Sequence, residues 1–140
     1  MIYVSPYKTD DPQIVYNQLS KEDGVIVFGT GNCGAIAKLA LKEANINVIA
    51  LSDNNMHRWG TKIDGVEVIP PEKIKSDYGK LPVLIAVDLN FPYIRKQLNG
   101  LGITNVFDCD FVFSKLDIDL KKCEQVTWSE TRFKQKIDLY

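Results

Sequence analysis

Three glycines near position 30 have the spacing of a phosphate-binding loop. Gly29, Gly31 and Gly34 form the pattern G-x-G-x-x-G directly after an uncharged run that ends at Phe28. In such a loop the first glycine allows a sharp turn, the second lets a pyrophosphate approach the backbone, and the third lets the helix pack closely on the strand. The start of that helix directs free N–H groups and a positive dipole end toward the phosphates. The pattern therefore predicts phosphate binding.

An acidic residue at the end of the next strand would complete a nucleotide site. Asp53 follows Gly34 by roughly 20 residues, the spacing at which such an acid accepts hydrogen bonds from ribose hydroxyls. A carboxylate there repels a 2′-phosphate and favours NAD over NADP, although Arg58 could serve a 2′-phosphate instead. The alternative is a tight turn that Asp53 merely caps. The predicted binding residues are Gly29, Thr30, Gly31, Asn32, Cys33, Gly34, Asp53, Asn54, Arg58, Val87 and Asp88.

The remaining candidates for chemistry are weak. A P-loop is excluded because Ala35 and Ile36 stand where lysine and serine or threonine are required. Cys33 lies at a helix start, a position that lowers a thiol pKa, but we interpret it as a small residue tolerated in the loop. Cys109 and Cys123 have no C-x-x-C partner, so no zinc site is expected. Without a Ser–His–Asp set or paired carboxylates, we expect no catalytic activity from the chain on its own.

The elements that position this loop follow from the alternation of short apolar runs with amphipathic stretches. This alternation predicts an α/β fold with a Rossmann-like, doubly wound, mostly parallel sheet of about five strands and helices on both faces. The loop would lie at the switch point of the sheet, and Val87 and Asp88 would line the pocket at the same carboxyl edge. The predicted strands are Gly24–Phe28, Asn47–Ser52, a hairpin of Thr61–Ile63 and Val66–Ile69 that turns at Asp64-Gly65, Pro82–Val87 and Thr104–Phe107. The predicted helices are Pro12–Ser20 capped by Asp10 or Asp11, 32–45, a short one through Ser76, and Phe91–Asn99 capped by Asn90 and closed by Gly100.

Composition limits the class of protein. The chain has 140 residues, 45% of them hydrophobic, and its 18 acidic and 17 basic side chains give a net charge of −1. One domain is expected at this length, so a complete two-domain dehydrogenase does not fit. The balanced charge predicts no nucleic-acid partner. No apolar run approaches the roughly 20 residues of a membrane span, and no secretion signal is expected at Met1–Pro6. The three cysteines are odd in number and widely spaced, which argues against a disulfide framework and favours the reducing cytoplasm.

The sequence divides into three predicted parts. Residues 1–23 form a helical lead-in, residues 24–116 the nucleotide-binding domain, and residues 117–140 a helical extension. A helical turn is predicted over Phe111–Leu116 and a final helix over Trp128–Leu139. Because no glycine or asparagine closes that last helix, we expect it to be a connector to a further domain; the alternative is a short protein whose last helix packs on the sheet.

Three segments resemble the small Rossmann-type domains of bacterial sugar-nucleotide and surface-polysaccharide proteins. They are Val25–Gly34 (VIVFGTGNCG), Val48–Asn55 (VIALSDNN) and Trp59–Pro71 (WGTKIDGVEVIPP). The same pattern is similar to the NAD(H)-binding domain of redox-sensing repressors and to CoA-binding domains. No winged-helix segment is recognised in the sequence, which argues against a repressor.

The resemblance implies a nucleotide-like ligand, with phosphate at the glycine loop and ribose at Asp53. The expected function is an NAD(H)-binding module that is an accessory or regulatory part of a polysaccharide or sugar-nucleotide biosynthesis protein. NADP, CoA, S-adenosylmethionine and UDP-sugars remain alternative ligands. Two other functions stay open: a small NAD-dependent oxidoreductase or sugar-nucleotide enzyme completed by a partner, and a protein-interaction domain with a vestigial site. A homodimer or an adjoining catalytic domain would supply the partner.

Overall fold

The computed structural model describes residues 11–87 and 91–109. Within them the strands are β1 (Val25–Phe28), β2 (Val48–Ser52), β3 (Lys62–Ile63), β4 (Val66–Ile69), β5 (Val83–Ile85) and β6 (Val106–Asp108). The helices are α1 (Pro12–Lys21), α2 (Asn32–Glu43), α3 (Glu72–Tyr78) and α4 (Phe91–Gly100), with a 3₁₀ turn at Met56–Arg58.

One sheet holds these six strands in the order β3-β4-β2-β1-β5-β6. All neighbours are parallel except β3 and β4. From β1 the chain proceeds outward to β2 and β4, then crosses back to β5 on the other side of β1. The switch point therefore lies between the carboxyl ends of β1 and β5, as predicted, which is where ligands bind in open α/β sheets.

The prediction of about five strands is wrong, because the sheet has six. The mostly parallel arrangement is confirmed, and one antiparallel pair makes the sheet mixed. The additional edge strand comes from the hairpin, whose turn residues Asp64 and Gly65 have φ values of 51° and 79°. Positive φ at both central residues matches the twist of a two-residue hairpin and brings β3 back antiparallel to β4. β4 in turn pairs parallel with β2, so the whole hairpin extends the main sheet.

Helices cover both faces of the sheet, as the continuous apolar strands predict. Side chains of β1 alternate between two cores: Val25 and Val27 pack on the α1 and α2 side, and Ile26 and Phe28 on the α3 and α4 side. All four are buried. The central strand is thus enclosed on both faces, and its carboxyl end is the natural anchor for a rigid loop.

The start of α1 follows its local sequence signal, whereas the end of α4 does not. The Asp11 carboxylate accepts hydrogen bonds from the backbone N–H groups of Gln13 and Ile14, which caps α1 as predicted. Gly100 does not close α4 but belongs to it, and the glycine with positive φ is Gly102 at 84°. The helix continues one residue further because the left-handed turn is made at Gly102 instead.

Several predictions fall outside the described residues. These are the Asn90 cap, the pocket role of Asp88, the helical turn over Phe111–Leu116, the helix over Trp128–Leu139 and the parts of the proposed division at residues 1–10 and beyond residue 109.

Candidate functional site

Two glycines of the loop are required by the fold itself. Gly29 has a φ of 121°, and a Cβ there would overlap the carbonyl oxygen of Ala86 at the end of β5. A Cβ on Gly34 would overlap the carbonyl oxygen of Gly29, because α2 leaves the loop against the end of β1. The sharp turn and the close helix–strand approach predicted for these glycines are therefore present.

Gly31 is different, because nothing in the described protein requires a glycine there. Its φ of −82° and ψ of −157° are open to any residue, and an added Cβ would meet no atom within 4 Å. Gly31 is the N-cap of α2, and within the described part of the chain no side chain caps this helix end. The start of α2 is therefore a helix N-terminus without a side-chain cap and with open space beside Gly31, a setting in which anions bind.

Asp53 is fixed to the glycine loop. Its Oδ2 accepts hydrogen bonds from the backbone N–H of Thr30 at 2.9 Å and from the Thr30 hydroxyl at 2.6 Å. Its Oδ1 accepts from the backbone N–H of Asn55 at 2.8 Å. A carboxylate has about four acceptor positions, so these three bonds leave room for about one further donor. The carboxylate predicted to hold ribose thus already organises the loop.

The ends of β1 and β2 are joined beneath this contact. The backbone N–H of Gly29 donates to the carbonyl of Ser52 at 2.8 Å. The buried Ser52 hydroxyl donates to the carbonyl of Ile69 at 2.8 Å, which extends the connection to β4. The indole N–H of Trp59 donates to the carbonyl of Asp53 at 2.7 Å and steadies the turn after β2. Asp53 directly follows β2, as predicted, but no sequence signal indicated that Trp59 supports it.

A reciprocal amide pair links the loop after β2 to α4. Asn54 donates to the Gln97 Oε1 at 2.9 Å, and Gln97 donates back to the Asn54 Oδ1 at 2.7 Å. Asn54 was a predicted binding residue, whereas Gln97 was missed. A polar residue on a helix surface carries no sequence signal for a contact 43 residues away.

The remaining predicted site residues differ in their burial and in their position relative to the glycine loop. The Cys33 side chain is buried in the core beneath the loop, so only its backbone can face a ligand. Arg58 is exposed on the 3₁₀ turn and has no ion pair among the described residues. An added Cβ on Gly29 would lie 3.4 Å from Val87 Cγ1, which places Val87 beside the loop. Asn32 begins α2, and Asp88 is outside the described residues.

Neither a membrane span nor a metal cluster is found within residues 11–87 and 91–109. No helix there is both long enough and apolar enough to span a membrane. No group of three or more histidine, cysteine, aspartate or glutamate side chains there is placed to hold a metal ion.

Solved structures share this fold. A Rex-family repressor, RSP, matches with a TM-score of 0.50 and 23% sequence identity over 69% of this chain and 52% of its own. UDP-D-quinovosamine 4-dehydrogenase from Vibrio fischeri matches with a TM-score of 0.49 and 19% identity over 70% of this chain and 93% of its own. The chain thus spans about half the length of RSP. The likeness to RSP shows the Rossmann-like fold, and no curated protein matches the sequence.

The prediction of no nucleic-acid partner is wrong. RSP also matches in a structure with beta-NAD+ and operator DNA, with a TM-score of 0.48 and 24% identity over 69% of this chain and 56% of its own. The prediction relied on the balanced net charge, with the lack of a recognised winged-helix segment as further support. Net charge describes the average field of a domain and does not exclude a protein of this fold from DNA complexes.

The family is shown by a match over the part of the chain that contains the whole site. The profile described as C2185-like, N-terminal, covers residues 21–106, from the end of α1 to the start of β6. That range includes the glycine loop, Asp53 and the hairpin. The chain belongs to the C2185-like N-terminal family.

Proposed function

We infer that this chain is a nucleotide-binding module with NAD(H) as its leading ligand. The phosphates would lie on the N–H groups at the start of α2, and the adenosine ribose would lie beside Asp53. The proposed role is accessory or regulatory, within a polysaccharide or sugar-nucleotide biosynthesis protein. That role is supported by the resemblance of the segments Val25–Gly34, Val48–Asn55 and Trp59–Pro71 to domains of such proteins.

The observation that carries the proposal is the contrast among the three glycines. Gly29 and Gly34 are explained by contacts inside the protein, whereas Gly31 has open space around it. A glycine without an internal reason, at the uncapped start of a helix, is what close approach of a pyrophosphate to the backbone requires. Gly31 is therefore better explained by a bound phosphate than by the geometry of a tight turn alone.

The ribose assignment is supported by the acceptor capacity that Asp53 retains. One ribose hydroxyl can donate to the remaining acceptor position, and a second can replace the Thr30 hydroxyl, which is free to rotate. The backbone bonds from Thr30 and Asn55 would stay in place, so the loop would keep its shape. Asp53 also brings negative charge close to the ribose, which disfavours a 2′-phosphate.

A matched pair of glycine variants tests this site. Gly31→Ala adds a methyl group where a phosphate would pass, while Gly100→Ala adds one on α4 where no atom lies within 4 Å. We expect NADH to stabilise the wild-type chain and Gly100→Ala in a concentration-dependent manner, as a ligand of the native state must. Gly31→Ala should lose at least about tenfold in affinity, a change of about 1.4 kcal/mol. Its own stability should fall by less than about 1 kcal/mol, because alanine is a poorer N-cap than glycine.

A ligand panel identifies the nucleotide. Thermal shifts with NAD+, NADH, NADPH, CoA, S-adenosylmethionine and UDP-sugars should rank NADH and NAD+ above the others. Trp59 offers a second measurement, since its indole bonds to Asp53 and its fluorescence should change on NADH binding in a Trp128→Phe background. A response to CoA alone would replace NAD(H) as the ligand. No response to any compound, or equal binding by Gly31→Ala and wild type, would overturn the proposal.

A further inference from the structure

A cavity lies away from the glycine loop, at the amino ends of β2 and β4. It has a volume of about 600 Å³ and is bounded by α2, the connection from α2 to β2, and the hairpin turn. Val48 and Val66, which line it, are the first residues of β2 and β4. The glycine loop follows the carboxyl end of β1, so the two sites occupy different ends of parallel strands.

The cavity combines an apolar wall with an excess of positive charge. Ile46, Val48 and Val66 contribute apolar side chains, and the three charged side chains that line it are Lys38, Lys42 and Asp64. Two ammonium groups against one carboxylate leave a net charge of about +1. Its volume is within the range of about 300–1,000 Å³ that is usual for small-molecule pockets.

The two lysines of the cavity differ in their ion pairing. Lys38 is paired with Asp64, and its side chain is only 13% exposed while that of Asp64 is 72% exposed. Lys42 is exposed and has no ion pair among the described residues, yet its charge helps to lower the pKa of Asp64. Lys42 thus lines the cavity with an exposed ammonium group that forms no ion pair among the described residues.

We propose that this cavity is a binding site for a small amphipathic anion. An aromatic or aliphatic body would lie on Val48 and Val66, and a carboxylate, sulfonate or phosphate group would pair with Lys42. The proposal is independent of nucleotide binding, because Lys38 is the only residue that this cavity shares with the small cavity of about 20 Å³ under the glycine loop.

Naphthalene-2-sulfonate is a suitable probe, and its neutral sulfonamide is the matched control. Titration of the full chain, followed by amide chemical shifts in NMR spectra, should give saturable changes confined to residues 38–48 and 64–66. The sulfonamide should bind about fivefold more weakly, since it lacks the charge for Lys42. Changes spread over the surface, or equal binding of the two probes, would overturn the proposal.

Three variants distinguish sulfonate binding in this cavity from nonspecific attraction of the anion to surface lysines. Lys42→Gln should weaken sulfonate binding about fivefold, while Lys80→Gln, at an exposed lysine between α3 and β5, should leave it unchanged. Asp64→Asn should strengthen binding about threefold, because it removes the carboxylate that competes for Lys38. Equal losses in the two lysine variants would contradict the assignment, as would weaker binding by Asp64→Asn.

Discussion

The Asp53 carboxylate accepts two hydrogen bonds from Thr30, one from its backbone N–H and one from its hydroxyl. This contact fastens the end of β2 to the glycine loop that follows β1. Asp53 is therefore both a candidate ribose acceptor and a residue that shapes the phosphate loop. The two roles can be tested separately, because the Thr30 hydroxyl contributes to the shape of the loop but not to the proposed ribose contact.

Replacing Asp53 and Thr30 should have unequal effects. Asp53→Ala leaves the partly buried Thr30 N–H without its acceptor and should lower the free energy of unfolding by about 1–3 kcal/mol. It should also weaken NADH binding at least about tenfold. Thr30→Val removes only the hydroxyl bond, so it should destabilise by about 1 kcal/mol and leave NADH affinity within about twofold.

Urea denaturation and calorimetric titration of both variants measure these quantities. If Thr30→Val lost as much NADH affinity as Asp53→Ala, the carboxylate would act on binding through the loop and not through ribose. If Asp53→Ala kept full affinity, the ribose assignment would be wrong.

Gly34→Ala should disrupt folding at the point where α2 crosses the end of β1. The new Cβ would overlap the Gly29 carbonyl oxygen, and backbone atoms cannot move aside as a flexible side chain can. We expect a loss of about 3 kcal/mol in the free energy of unfolding, at the upper end for overpacking. Gly100→Ala, with open space around it, should show no loss and is the control. Equal stability of the two variants would mean that the close approach is absent.

The bridge between Lys38 and Asp64 should make stability depend on pH. The hydrogen bond from Lys38, then the charges of Lys38 and Lys42, hold the pKa of Asp64 below its ordinary value of 3.8. A carboxyl whose pKa is lower in the folded state stabilises the protein above the unfolded-state pKa and loses that contribution as the pH falls through the folded-state value. Because Asp64 is largely exposed, solvent screening keeps the effect small.

Asp64→Asn isolates this contribution, since asparagine tolerates the positive φ of the turn. Wild type should be slightly more stable than the variant at pH 7, and the difference should disappear below about pH 3.8 as Asp64 protonates. High salt should reduce it at neutral pH. A difference that persists unchanged at acid pH would show that the turn geometry, and not the ion pair, is responsible.

Much of the fold could be predicted because its signals are local. The apolar run before the glycines, the spacing of those glycines and the Asp64-Gly65 turn each specify a short stretch of backbone, and the structure has an element at each. The strand count failed because it included the hairpin as one strand of the sheet, whereas β4 pairs with β2 and β3 adds a further strand at the edge. The end of α4 failed because two glycines, Gly100 and Gly102, could each have made the turn.

The sequence by itself determined the strand–loop–helix unit and the position of Asp53 one strand later, since propensity and spacing act over a few residues at a time. Tertiary structure decided which glycines the protein needs for itself: Gly29 and Gly34 meet backbone atoms, and Gly31 meets none. It also decided that Asp53 holds Thr30 and that Asn54 pairs with Gln97, contacts across 23 and 43 residues. Such partners are selected by the order of strands in the sheet, which brings distant segments together at one edge and leaves no trace in the neighbouring sequence.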